Sequence, residues 1–349
     1  MPLRRITIQD VADACGLSRN TVSKVFNNRG TVQEPTRQLV MKKAQELGYF
    51  QLVNDETVQT EPKVRNIALL TRRIPSDFHF GTFLIPAFAA QLGRAGYTLM
   101  VYEISEEELL HGRLPAQINL EQIAAILCIE LFDRSYIDRI SEIDMPILLV
   151  DGPCGAAMSQ MNCDIISMEN LASTMALVKH VIGNGARSIG FVGDPNHCNS
   201  FHERWISFYT ALANAELPLE KQLCILDRDD SPYSNSEWLA DRIRQMPSIP
   251  DALICANDYL AIHVMAALKQ LGLSVPEQVM VAGFDGSAQS ALVEPALTTV
   301  KIAGSEIGRI AADLVLKRIV DRSRSPISVY VKSVPIYRES TNRKEFVSG

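Results

Sequence analysis

The sequence predicts two classes of structure in one chain: an N-terminal all-α head with helix-turn-helix spacing, then an α/β core of two doubly wound halves. Three observations carry this. The first fifty residues hold three short amphipathic patterns separated by turn residues. From Ile67 onward, short apolar runs alternate with longer amphipathic stretches, the signature of parallel sheets with helices on both faces. The formal charge also changes sign, from +4 over residues 1–50 to −10 over the remainder. A basic head on an acidic body points to a polyanion partner for the head alone.

The head elements have start and stop signals. Thr7 precedes "IQDVADAC", and Asp10 follows three residues later, a variant of the capping box. Gly16 breaks this pattern. Ser18 is an N-cap for a second helix, with Thr21 three residues on, and Asn27, Asn28 and Gly30 end it. A third helix spans about Pro35 to Leu47, with Gly48 in the C′ position. Val11, Ala12, Leu17, Val22, Val25 and Leu39 are the expected small core. Arg19, Asn20 and Lys24 then cluster on the outward face of the second helix. Arginine and lysine suit guanine acceptors and asparagine suits adenine. Ser18, Thr21, Ser23 and Asn27 are short donors suited to phosphates.

Residues 51–65 lack periodicity and read as a linker. Strands are predicted at 66–71, 98–103, 124–129, 146–151, 188–193, 223–227, 251–256 and 279–284. Helical patterns such as "FLIPAFAAQLGRAG", "LASTMALVKHVIGNG" and "LAIHVMAALKQLG" lie between them. Polar residues gather just after predicted strand ends: Asp151, Asn257 with Asp258, Asp285, and the loop that leads to Ser200 and Arg204. Ligands of open parallel sheets bind outside the carboxyl ends of strands. Carboxylates, an amide and a guanidinium suit adjacent hydroxyls of a polyhydroxylated ligand, and Phe78, Phe80 and Tyr233 offer aromatic faces to a sugar ring. The plainer readings are a helix cap for Asp258 and core packing for Phe78 and Phe80.

Composition narrows the function. With 47% hydrophobic and 21% charged residues the chain is globular in type. No run of 18 apolar residues suggests a membrane span, and "MPLRRITIQD" has no apolar h-region of a signal peptide. Seven scattered cysteines without a C-x-x-C pair fit free thiols in a reducing cytoplasm. No phosphate loop occurs, and "GNGARSIG" (183–190) lies between a helix and the following strand, the wrong order for a dinucleotide site. "HCNSFH" places His197, Cys198 and His202 close together, but no second ligand cluster supports a metal. Neither an enzyme nor a cofactor is expected. A transport-type solute-binding protein would need a signal peptide and would not need the head.

The stretch "TIQDVADACGLSRNTVSKVFNNRGTVQEPTRQLVMKKAQELGY" resembles the DNA-binding head of the lactose/galactose repressor (LacI-type) family. The shape T-x-x-D-V-A-x-x-x-G-x-S-x-x-T-V-S-[RK]-V-x-N matches across more than twenty residues. The resemblance implies base contacts from Arg19, Asn20 and Lys24, and backbone contacts from Thr7, Ser18, Thr21, Ser23, Asn27, Thr31 and Thr36. Most members carry Arg where Lys24 stands; lysine lacks the rigid fork, so weaker discrimination is expected at that base. After Tyr49 the text "FQLVNDETVQT" departs from the family's Pro-Asn pair and Ala/Leu-rich hinge helix. The position of its minor-groove leucine falls near Val58, close to Asp55 and Glu56.

The resemblance extends over the rest of the chain. It implies a periplasmic-binding-protein-like core with three crossovers, an N-subdomain of about 66–165 plus 301–327, and a C-subdomain of about 166–300 plus 328–341. Arg204, Asn257 and Asp285 fall at its main effector positions, joined by Ser200, Asp151 and the "DFHFG" loop. Ile302 replaces a frequent Gln, so one polar contact is missing and the ligand is less like a hexose. "EPALTTV" (294–300) resembles the crossover segment. The expected protein is a cytoplasmic, homodimeric regulator, most simply a repressor, that binds double-stranded operator DNA under control of a carbohydrate-like effector. A purine- or nucleoside-responsive or an activating regulator of the same family is the alternative. The C-terminus has no heptad tail to drive a tetramer.

Overall fold

The computed structural model describes residues 7–26, 32–47, 65–73, 81–154 and 161–343, apart from the side chain of Gln45. The chain divides into two compact units, residues 1–63 and 64–349.

In the first unit, α1 (Ile8–Cys15), α2 (Arg19–Phe26) and α3 (Glu34–Glu46) surround a small core. The capping box forms as expected, with the Thr7 hydroxyl accepting from the Asp10 amide and the Asp10 carboxylate accepting from the Thr7 amide. Gly16 closes α1 at φ +65°, the left-handed conformation that a glycine adopts without a Cβ penalty. The Ser18 hydroxyl accepts from the Thr21 amide at 3.1 Å and starts α2. Val11, Ala12, Val22, Val25 and Phe26 are buried. Leu39 is not part of this core: it is 43% exposed, and Val40 and Ala44 are buried instead. Residues 39–41 are consecutive apolar side chains, and only the pair spaced by four shares the inward face of α3.

The second unit carries a six-stranded parallel sheet, ordered β10-β5-β4-β3-β1-β2. These strands are β1 (Asn66–Thr71), β2 (Thr98–Glu103), β3 (Ile123–Ile129), β4 (Ile147–Val150), β5 (Asp164–Met168) and β10 (Ser328–Val331). The helices α4 (Gly81–Arg94) and α11 (Gly304–Val320) pack together on it, and α5 (Glu106–His111) and α6 (Arg134–Ile140) connect its strands. A smaller parallel sheet holds β6 (Ile189–Val192), β7 (Ala252–Cys255) and β8 (Met280–Ala282). Around it lie α7 (Leu171–Gly183), α8 (Asn199–Asn214), α9 (Ser236–Arg244) and α10 (Asp258–Gln270). β9 (Thr299–Lys301) pairs antiparallel with β11 (Val334–Ile336), and a bridge from Thr298 to Ala282 joins this ribbon to β8.

Four expectations change here. Residues 223–227 are not a strand: Ile225 makes a single bridge to Val192, and Lys221–Leu223 form a 3-10 turn. Gly190 permits that approach, because a Cβ there would lie 2.0 Å from the Leu223 carbonyl oxygen. "DIISM" is instead a fully buried strand, β5. β10, over 328–331, pairs with β5 in the larger sheet, so the expected C-subdomain boundary at 328 moves beyond Val331. Most of "EPALTTV" belongs to the smaller half, with the crossing just after it. The chain passes between the halves three times, at Glu169–Asn170, Ile302–Ala303 and Lys332–Ser333.

Candidate nucleic-acid interface and ligand cleft

Helix α2 has two chemically distinct sides. Val22, Val25 and Phe26 face the core, while Arg19, Asn20 and Lys24 are exposed. Arg19 and Asn20 occupy the first turn of α2 and Lys24 the second, so all three are presented together. Ser18 and Thr21 bind each other through their hydroxyls at 2.8 Å, and Ser23 and Thr36 are half-buried. Thr7 is exposed at the start of α1. Asn27, Thr31 and Val58 lie outside the described residues.

A cleft of about 1020 Å³ opens at the carboxyl ends of strands from both sheets of the core. It gathers all six predicted effector residues that the structure describes: Asp151, Ser200, Arg204, Tyr233, Asn257 and Asp285. Phe78 and Phe80 lie outside the described residues.

Arg204 is the most constrained member, at 3% exposure. Its Nε donates to Asn170 Oδ1 at 3.0 Å, and its Nη1 to the Ala256 carbonyl at 2.6 Å and to Asp285 Oδ1 at 3.4 Å. The guanidinium lies 3.6 Å from the Phe284 ring centroid, within cation–π range. Among the described residues Nη2 makes no hydrogen bond, so its two donors remain for the cleft. Asp285 holds the opposite charge at φ +110°, pinned by its amide to the Val300 carbonyl at 2.9 Å. That rare conformation in a non-glycine residue costs about 1–3 kcal/mol and points to a functional constraint.

Asn257 caps α10, its Oδ1 accepting from the Leu260 amide at 2.9 Å, which leaves Nδ2 as a donor on the cleft side. Asp258 is therefore not the cap. It is a buried carboxylate that accepts from Thr299 Oγ1 at 2.5 Å and from the Ser287 amide at 2.7 Å, tying α10 to the Asp285 loop and to β9. Burial pushes its carboxyl up to about 6, against the opposing pull of these donors. Between about pH 4 and 6 the unfolded chain releases this proton and the folded chain keeps it, so stability falls as pH rises through that window. About 3 kcal/mol is involved, at about 1.4 kcal/mol per pH unit. Urea unfolding at pH 4.5, 5.5 and 6.5 should show about 2 kcal/mol of that loss in the wild type and a flatter profile in Asp258→Asn. Parallel profiles would rule out the raised value.

Asp151, at φ +60° and buried, sends its carboxylate to the Ser200 amide at 3.2 Å, so a residue of the larger half caps a helix of the smaller one. Burial pushes its carboxyl above the ordinary range, opposed by bonds from Ser200 and Cys198 and by the Arg204 charge. The Ser200 hydroxyl turns to the Met168 sulfur at 3.0 Å. Tyr233 is buried, and its hydroxyl donates to the Asp227 carbonyl at 2.8 Å, so only its ring is available to a ligand. Ile302 packs in the core and does not line the cleft.

Several lining residues escaped the sequence reading: Arg72, Arg73, Glu130, Phe132, Asp194 and Arg228. The first five follow the ends of β1, β3 and β6, so the strand-end rule applied to every strand would have found them. Arg72 pairs with Glu106, and Arg228 with Asp230 at 3.2 Å. His197 and His202 do not converge on a metal: His197 pairs with Asp229 at 3.2 Å and His202 turns to the Pro195 carbonyl, also at 3.2 Å. Among the described residues no group of three or more His, Cys, Asp or Glu could hold a metal ion.

An exposed reading helix in a helix-turn-helix unit and a polar cleft at facing strand ends define a ligand-responsive DNA-binding protein. Comparison with known proteins supplies the family. The description "Bacterial regulatory proteins, lacI family" matches residues 7–51, and "Periplasmic binding protein-like domain" matches residues 178–341. The chain thus pairs a LacI-family DNA-binding domain with a periplasmic-binding-protein-like domain. It is 29% identical to the HTH-type transcriptional repressor PurR of Vibrio parahaemolyticus over 322 residues, 90% of this chain and 92% of that protein. Among solved structures it resembles a transcriptional regulator CelR–cellobiose complex (TM-score 0.69, 23% identity, 96% of this chain and 100% of that one). It also resembles the lac repressor dimer bound to operator and the anti-inducer ONPF (TM-score 0.65, 21% identity, 97% of this chain and 100% of that one).

Proposed function

We propose that this protein is a transcriptional repressor whose affinity for operator DNA is set by a small polyhydroxylated effector, a sugar or sugar derivative, held in the core cleft. The observation that carries the effector reading is the convergence of the Arg204 Nη2 donors, the Asn257 amide and the Asp285 carboxylate in one cleft. Arg19, Asn20 and Lys24 read base edges; Thr7, Ser18, Thr21, Ser23, Asn27, Thr31 and Thr36 hold phosphates, and Val58 takes the hinge position in the minor groove. A regulator that binds operator DNA works in the cytoplasm. No helix among the described residues is long and apolar enough to cross a membrane.

A homodimer would read a pseudo-palindrome through two heads. It is supported by β2, an edge strand among the described residues, on which Val101 is 48% exposed. An exposed strand edge is a ready template for pairing with another chain. Two effector chemistries compete: a purine or nucleoside, and a sugar, in line with the cellobiose held by the CelR structure. A thermal-shift screen across sugars, sugar phosphates, nucleosides and purines decides between them, because a ligand of the native state raises apparent stability by mass action. If no class shifts the melting temperature, or if the ligand found leaves operator affinity unchanged, the effector reading fails.

A further inference from the structure

Outside the cleft lining, one polar chain runs from its central guanidinium to the opposite half of the core. Arg204 Nε donates to Asn170 Oδ1 at 3.0 Å. Asn170 Nδ2 donates to Glu203 Oε2 at 2.7 Å, and the other oxygen of that carboxylate accepts from the Tyr330 hydroxyl at 2.7 Å. The four residues sit on three different parts of the fold. Arg204 and Glu203 are neighbours on α8 in the smaller half. Asn170 lies in the first crossing and is 1% exposed. Tyr330 lies on β10, at the edge of the larger sheet opposite β2 among the described residues.

We infer that Glu203 and Tyr330 are positioning residues, which through Asn170 hold the Arg204 guanidinium in its cleft-facing orientation and make that orientation depend on how the two halves are turned. The inference rests on the reading of Arg204 as an effector residue. A buried amide has one acceptor oxygen and two donor hydrogens, and Asn170 turns its oxygen to Arg204 because Glu203, at 2.7 Å, and the Met168 carbonyl, at 3.1 Å, engage its donor side. Glu203 in turn is fixed by a donor that belongs to the other half. Rotation that separates β10 from α8 removes that donor, frees the carboxylate, and loosens Asn170 and then Arg204. Charge-assisted bonds of this length are among the stronger ones in proteins.

The test needs no effector. Full-length wild type, Tyr330→Phe and Glu203→Gln are treated with phenylglyoxal, and the labelling rates of individual arginines are read by peptide mass spectrometry. Arg318, held by Asp164 at the first residue of β5, three residues before the Tyr330 register partner Ser167, serves as the internal reference. Tyr330 is 48% exposed, so the phenylalanine variant keeps its ring packing and folds. The expected result is Arg204 labelling about fivefold faster in both variants, the factor that one ordinary hydrogen bond carries, with Arg318 unchanged. Arg204 labelling at the wild-type rate overturns the inference, and so does equal acceleration at Arg318, which signals general loosening. A ligand screen without hits would sink the effector reading alone and leave this result standing.

Discussion

Replacing Asn20 with alanine is expected to weaken binding to the cognate operator by about 1–3 kcal/mol and to leave binding to random duplex unchanged. The operator for this measurement comes from selection of a random duplex pool with the wild-type chain, and affinities are read by fluorescence anisotropy at fixed salt. The effect is confined to specific binding because Asn20 is exposed on α2 and takes no part in the head core. An asparagine amide makes two hydrogen bonds to adenine, one donated and one accepted, and alanine removes both. Equal losses on operator and random DNA would mean that Asn20 holds the backbone rather than a base. Lys24 sets a comparison within the same helix: a flexible ammonium discriminates less than an arginine fork.

The second large effect is at Arg204. Arg204→Met keeps much of the side-chain length but removes every hydrogen bond and the charge. Asp285, 14% exposed at its side chain, then loses this ion pair. Removing one member of a buried pair costs about 3–5 kcal/mol. Urea unfolding should show that loss, and the thermal shift given by any effector of the wild type should disappear. Arg204→Lys keeps the charge without the fork, so it should recover part of the stability and little of the ligand response. A methionine variant with the wild-type unfolding midpoint would show that the pair with Asp285 contributes nothing.

How legible these features were depended on how many arrangements a local stretch permits. The recognition helix was readable because its apolar positions, Val22, Val25 and Phe26, fix one inward side and force Arg19, Asn20 and Lys24 outward. α3 was less so: three consecutive apolar residues fit either inward side, and packing against α1 selected Val40 over Leu39. Five-residue apolar runs are similarly ambiguous, so "LCILD" became a turn with one bridge while "DIISM" became a central strand. Asn257 and Asp258 are both good caps by composition. Their roles separated only when Thr299 and Ser287, distant in sequence, converged on the second of them. The cleft residues after β4, β6, β7 and β8 followed from strand ends, whereas the Asn170–Glu203–Tyr330 chain has no sequence signal, since it joins three segments by tertiary placement alone.

The three crossings, Glu169–Asn170, Ile302–Ala303 and Lys332–Ser333, contain two residues each. Three parallel tethers this short restrict sliding and splaying of the two halves more than twisting about the axis through the crossings. A ligand held in the cleft is therefore expected to register as a change of angle between the halves rather than of distance.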